Sequence, residues 1–514
     1  MSEIEDRADE APEPDDEPGA PAWSTADTYA LAAVTVVGGI LRLLRLGTPG
    51  SLMFDEVYYA KDACWYVKAA ATVCGIADEQ TRVHPPLGKW LLAIGVRLFD
   101  YDAFGWRIMA VVAGTITIAL LYLLARKLLG STLGATIASG LLAVDLLHFV
   151  QSRVAMLDIF VPLFGVAAVL FAVYDRDRLL PALAGGSPLE PRGANPLDRP
   201  WRLAAGAAAG AAVASKWSGG LVLLLVVVVT MAWELRARLP QGWGRALVRT
   251  IREESASLVA WFALVPLALY VATYAGRLQG QTSFCPVPEG SWPVQIARLQ
   301  KCMFEYHTTL EARHSYESPA WSWVLLKRPV SYFFEKAPNG DYREVLATGN
   351  PVIWWASLLA LAVVAAIWMR HRHPARPEGV ILAGFAFTYV PWLAIGRDAV
   401  FIFYLLPTIP FMCLALGYVA TRIGTSWEAR AAVSLFAAAT LGTTAFYYPL
   451  AANVSLPYER WDRRIWQFED EQCEKPPGTP VKSTITETVG GTPTTRTTET
   501  LDNSSIPPKG WCWI

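Results

Sequence analysis

An all-α polytopic membrane protein is the fold class this sequence predicts, and three observations carry it. Hydrophobic residues make up 53% of the chain and charged residues 17%, with a mean hydropathy of +0.30. Apolar runs close to the roughly 20 residues needed to cross a bilayer recur from end to end. Arg-rich connectors fall at alternate gaps between them, as the positive-inside rule requires.

Residues 1–26 are acidic and Pro-rich and lack a basic start and a small-residue cleavage site, so they read as a disordered cytoplasmic tail before an uncleaved first span. Spans follow at 28–46, 106–128, 131–149, 155–174, 202–220, 219–236, 256–275, 350–370, 378–395, 400–421 and 430–449, about eleven in all. Residues 85–99, PPLGKWLLAIGVRLF, are apolar but short and carry Lys89 and Arg97, which predicts a re-entrant or interfacial helix. With that parity and a cytoplasmic N-terminus, Arg126, Arg178, Arg199, Arg238, Arg370 and Arg422 lie in inside loops. Residues 27–450 then form one transmembrane unit with outside loops at 47–105 and 276–349, followed by an outside tail at 451–514. Within that tail, 474–508 is rich in Thr, Pro, Gly and Ser and reads as a flexible linker, pinned back by the closing GWCWI. Asn453-Val-Ser and Asn503-Ser-Ser match the N-glycosylation pattern.

The cysteines support this topology. Six of the seven lie in the three outside segments, two in each: Cys64 and Cys74, Cys285 and Cys302, Cys473 and Cys512. Pairing on an oxidising face explains that distribution, and the simplest connectivity is within each segment. No CxxC or neighbouring His cluster suggests a metal site instead.

Asp55 and Glu56, adjacent in SLMFDEVYYAKDA after the first span, are the candidate catalytic pair. A partly desolvated but ionised Asp suits a general base that takes a proton from a hydroxyl; the competing explanation is a solvated loop pair. His84 and Lys89 flank the rigid Pro85-Pro86 turn at the same boundary. Arg153 ends one span and Asp158 lies about a turn and a half into the next, a spacing for either a structural ion pair or a substrate contact. Lys216 closes an Ala-rich span, where snorkelling is the alternative, and Arg397 sits in a short outside turn, where simple exposure is. All of these project to one side, and cations around two acids suit a phosphate-bearing lipid and a hydroxyl acceptor.

The runs FDEVYYAKDA, HPPLGKWLLAIG, FGWRIMAVVAGTITIALLYLLAR, HFVQSRVAMLDIF, SKWSGG, YHTTLEARHSYES and WSWVLLKRPVSYFFE closely resemble, in order, the protein O-mannosyltransferases in their bacterial, actinobacterial-looking form, over about residues 40–450. The resemblance implies a GT-C type glycosyltransferase in the cell membrane. Its donor would be polyprenyl-phosphate mannose, and its acceptors Ser or Thr of proteins emerging from the secretion channel. It places the family's acidic pair on Asp55 and Glu56, with Asp55 as base, its Ser-Arg arginine on Arg153, and its phosphate-contacting lysine on Lys216. His84, Lys89 and Arg397 join the donor side, with Asp158 and His314 as supporting residues. Two departures stand out: 276–349 is too short for the β-trefoil domain of the eukaryotic enzymes, and Ser315 follows His314 where the family often has Pro.

The chemistry needs no more than these residues. A sugar phosphate already has a good leaving group, so cations suffice to stabilise it and neither a metal nor another cofactor is required. One carboxylate base and in-line attack give inversion in a single displacement. The partners expected are the lipid-linked donor, protein acceptors and membrane lipids; the net charge of −1 names none, and no nucleic acid is expected. Two other readings stay open: a GT-C transferase with a lipid or cell-wall glycan acceptor, and a transporter, whose charges should lie near the midplane between repeated halves.

Overall fold

A computed structural model describes residues 22–68, 71–75, 82–183, 197–275, 285, 289–310, 314–371, 373, 376–397, 399–424, 426–469, 479–489, 492–502 and 511. Each of the expected spans falls on helix, yet the helices differ in reach. Among the described residues six are long and apolar enough to cross a membrane: Thr25–Leu43, Ala103–Leu129, Trp217–Gln241, Trp243–Ala272, Pro351–His371 and Trp427–Ala451.

Two of the other apolar runs are divided into shorter pieces. Run 131–149 breaks at Asp145, whose carboxylate accepts the His148 N–H at 2.9 Å and so ends helix Thr132–Val144 and starts Leu146–Gln151. Run 400–421 opens with a 3₁₀ turn, Ile402–Leu405, before helix Ile409–Ala420. Both pieces are buried on most sides, so apolarity here records protein core as well as lipid contact. Helix Leu87–Phe99, at 13 residues about 20 Å long, falls short of the hydrocarbon core.

Two devices hold the helices together. In the Ala-rich helix Pro200–Ser215, a Cβ at Gly206 would stand 1.7 Å from the Trp261 carbonyl oxygen, and one at Gly210 2.7 Å from Pro266 Cα. The small-residue pair therefore permits the close approach of helix Trp243–Ala272. At the end of the bundle away from Lys216, Arg202 bonds Glu254 at 2.7 Å and Glu234 at 2.5 Å, while Arg238 reaches the same two carboxylates at 2.9 and 2.8 Å. Arg199 adds Asp175. Arg199 and Arg238, expected as loop charges, and Arg202, at the start of an expected span, form a buried ion cluster tying four helices.

The helical class needs two additions, both antiparallel hairpins. Val330–Lys336 pairs with Tyr342–Ala347, with an irregular register between Ser331 and Phe333. Thr479–Val489 pairs with Thr492–Asp502, so the segment expected as a flexible linker contains a regular two-stranded sheet. The first hairpin is covered by the chain's end: Tyr342 bridges Leu456, Trp461 stacks on Tyr342 at 5.1 Å, and buried Trp511 meets Trp461 edge-on at 5.7 Å. Asn453 is only 4% exposed, which closes the first glycosylation pattern in the folded chain. Disulfides join Cys64 to Cys74 and Cys285 to Cys302. Cys473, Cys512 and Asn503 lie outside the described residues.

Candidate active site

Phe54 is where the backbone turns. Its φ of 44° is in the left-handed region that a bulky side chain rarely adopts, and such strain persists only where the surroundings impose it. Here they are aromatic: the Phe54 ring meets Tyr332 at 5.0 Å, His314 at 5.7 Å, and Phe401 and Phe403 at 6.0 Å each. The next residue, Asp55, begins helix Glu56–Lys68 by accepting the N–H groups of Tyr58 and Tyr59 on its carbonyl, both at 3.0 Å.

The two acids of the pair then part company. Glu56 is fully buried and fully bonded: Arg107 grips both its oxygens at 2.8 Å, and the N–H groups of Met53 and Ala155 complete it at 2.9 Å each. Arg107 in turn holds the carbonyls of Leu46, Pro49 and Ser51, so this ion pair fixes the loop that carries Asp55. Asp55 keeps part of its surface open, and among the described residues no hydrogen bond or ion pair engages its carboxylate. Burial pushes it up to about 7; the charge of Asp158 adds to the rise and that of Lys216 opposes it.

Lys216 lies between helix Pro200–Ser215 and the 3₁₀ turn Trp217–Gly219, in extended backbone. Its ammonium bonds both oxygens of Asp158 at 2.8 Å and stands 4.7 Å above the Tyr404 ring. At 8% exposure it is not a snorkelling lysine. Of the roles that the spacing left open to Arg153, the ion pair with Asp158 does not form, because Asp158 pairs with Lys216. Arg153 instead donates to the carbonyls of Leu41, Arg42, Leu44 and Arg45, closing the exit of helix Thr25–Leu43. Lys89 is likewise engaged, 2.8 Å from Asp62 in a buried pair.

Arg397 and His84 complete the cluster. Among the described residues the Nε of Arg397 is buried with no hydrogen-bond partner, and its charge bears on His84, His307, Tyr306 and Tyr404. His84 rings lie 5.1 Å from His307 and 5.9 Å from Tyr59. Burial first, then the cations Lys216, Lys89 and Arg397, hold His84 well below its usual range, so it is neutral. His307, tied to the Val83 carbonyl at 2.8 Å, is lowered to about 4, chiefly by burial.

The structure thus brings together Asp55, His84, Asp158, Lys216 and Arg397, and uses Glu56, Lys89 and Arg153 to hold the surrounding chain. Sequence reasoning passed over Tyr59, Tyr332, Tyr404, His307 and Arg107. Arg107 had a signal, an arginine near the start of an otherwise apolar helix. Among the described residues no group of three or more His, Cys, Asp or Glu is placed to hold a metal ion. The outside segments do contain one Asp-x-Asp run, Asp100-Tyr101-Asp102. Asp102 caps helix Ala103–Leu129 through the Gly105 N–H at 2.7 Å, and Asp100 pairs with Lys68 at 3.0 Å.

A carboxyl poised near neutrality, beside an ion pair, the guanidinium of Arg397 and aromatic walls, is equipped to deprotonate a hydroxyl next to an anionic leaving group. Comparison with known proteins bears on the family and the fold. Residues 32–106 and 83–177 match models of dolichyl-phosphate-mannose-protein mannosyltransferases, and 294–468 matches the C-terminal four-span region of protein O-mannosyltransferases. A polyprenol-phosphate-mannose–protein mannosyltransferase of Mycolicibacterium smegmatis is 31% identical over 86% of this chain and 92% of its own length. Its counterpart from Mycobacterium tuberculosis is 29% identical over 84% and 90%. In fold, the chain is similar to the S. cerevisiae protein O-mannosyltransferase Pmt1–Pmt2 complex bound to the sugar donor, with a TM-score of 0.68 and 17% identity over 87% of this chain and 93% of that one. An Archaeoglobus fulgidus oligosaccharyltransferase follows at 0.51 and 15%, over 85% and 56%.

Proposed function

The chain belongs to the protein O-mannosyltransferase family, and from that membership we propose how its site works. It is a mannosyltransferase that uses a lipid-linked mannose donor and protein acceptors. A Ser or Thr hydroxyl of the acceptor loses its proton to Asp55 as its oxygen attacks the anomeric carbon of polyprenyl-phosphate mannose. The bond from that carbon to the phosphate oxygen breaks on the opposite face, and polyprenyl phosphate leaves. One displacement inverts the anomeric centre.

The observation that carries this reading is the contrast within the acidic pair: Glu56 saturated by Arg107, Asp55 unbonded and shifted toward neutrality. A base must be able to change its protonation state near working pH, and only Asp55 is placed to do so. Arg397 and the Lys216 ammonium meet the phosphate charge; Lys216 does so without leaving Asp158, which sets its position. Neutral His84 offers a hydrogen bond to the donor. Glu56, Arg153, Lys89 and His314 hold the loop and its walls. With the phosphate met by cations, the reaction needs no metal or other cofactor.

The same proposal extends to topology. The protein spans the cell membrane about eleven times with its N-terminus inside, and the Asp55 face receives extended acceptors as they leave the secretion channel. The decisive experiment incubates purified protein with polyprenyl-phosphate mannose and a Thr/Pro-rich peptide and looks by mass spectrometry for hexose on the peptide. Hexose addition by the parent and none by Asp55→Asn is the expected result; equal addition by both removes Asp55 from the mechanism.

A further inference from the structure

We propose that the hairpin at 479–502 is itself an acceptor, so that the protein mannosylates its own tail; this rests on the transferase reading above. Three observations lead there, and the first is composition. Thr supplies four of the eleven residues of the first strand and six of the eleven of the second, with one Pro in each, the composition of O-glycosylated stalks, and few residues could form a packed core.

The register is the second. Thr484 pairs with Thr497, Thr486 with Thr495, and Thr488 with Pro493, so Thr484, Thr486, Thr488, Thr495 and Thr497 share one face of the sheet. The sheet has only these two strands, and an isolated two-stranded hairpin is marginally stable in water. Releasing one strand as an extended, Thr-bearing segment therefore costs little.

Placement is the third. Both anchors of the tail lie on the Asp55 side: Phe468 is buried after helix Tyr458–Ile465, and Trp511 packs on Trp461. Trp461 lies against Phe334 and Tyr342 of the first hairpin, whose Tyr332 touches Phe54. The connecting stretches 470–478 and 503–510 each span at most about 30 Å. Tethering of that kind sets an effective acceptor concentration on the order of millimolar.

The step is the one already described. A Thr Oγ forms the bond to the anomeric carbon, its proton passes to Asp55, and polyprenyl phosphate departs with the electrons of the broken bond. The test uses full-length protein purified from a host that lacks polyprenyl-phosphate mannose, incubated with that donor and an added Thr/Pro-rich peptide, with both acceptors mapped by mass spectrometry. Hexoses on 479–502 in the parent, none in Asp55→Asn, and loss of most of them in a variant with all ten Thr of the two strands changed to Val are expected, that variant still modifying the peptide. A bare hairpin in a preparation that modifies the peptide overturns the proposal. A bare hairpin beside a bare peptide overturns the transferase reading and the proposal with it.

Discussion

A single residue separates chemistry from scaffolding at this site, and pH distinguishes the two. Burial keeps Asp55 protonated up to about pH 7, so its base form grows in as pH rises through that value. The turnover of the parent at saturating acceptor is expected to fall on the acid side with a midpoint near 7, and Asp55→Asn to lose about two to four orders of magnitude at every pH. A stability effect of opposite sign should accompany it. Unfolded, Asp55 ionises in the ordinary carboxylate range, so between there and about 7 the unfolded chain binds fewer protons than the folded one and stability falls as pH rises. Above pH 7 that penalty is fully present, and Asp55→Asn, which cannot ionise, should melt higher than the parent. A lower melting point for the Asn variant at pH 8 would show that Asp55 is a structural ion. The phosphate cations separate in the same way. Arg397→Ala is expected to weaken donor binding tenfold or more at unchanged melting temperature, since its Nε has no partner to lose. Arg153→Ala, which strips four carbonyls of their donor, should lower the melting temperature first. Adjacency in the sequence marked Asp55 and Glu56 alike, because the Arg107 clamp that divides them comes from a residue 51 positions away.

Elements were legible where their signal is local. The Ala-rich run with Gly206 and Gly210 reads as a packed span, and it is one. The first hairpin also had its signal, since Asn339-Gly340 falls between Val330–Lys336 and Tyr342–Ala347 and Gly340 takes φ 85°. What concealed it was the run Tyr332-Phe333-Phe334, in which an irregular register replaces the period-two alternation of a strand. The Arg cluster failed to show for a different reason. Positive loop charge has the same appearance in a sequence whether it faces the cytoplasm or meets acids from three other helices. Buried partners make it consequential, because removing one member leaves uncompensated charges. Arg202→Ala is expected to destabilise the bundle by about 3–5 kcal/mol, while Arg245→Ala, on the exposed side of its helix, should change stability by less than about 0.5 kcal/mol. Thermal unfolding in detergent checks the pair, and equal shifts would mean that the cluster is solvated.

For the whole molecule, position on one face is the property that everything else assumes. Asp55, the first hairpin and Trp511 are linked through Phe54, Tyr332 and Trp461, the Cys64–Cys74 disulfide ties down the helix that Asp55 begins, and His307, on the helix that carries Cys302, meets His84. We propose the outer side from charge. Counting 85–99 as a full span would reverse every later loop and put Arg178, Arg238 and Arg370 outside, against the positive-inside rule. The 13-residue helix Leu87–Phe99 also buries the Lys89–Asp62 pair, as suits a segment packed beneath a loop. An impermeant thiol reagent applied to intact cells is therefore expected to label Cys64, Cys74, Cys285 and Cys302 only after reduction, and a tag placed after Ile514 should be reached from outside. A tag reached only after permeabilisation would put the Asp55 face in the cytoplasm, where neither lasting disulfides nor secreted acceptors are found, and the extracytoplasmic reaction proposed for this chain would fall with it.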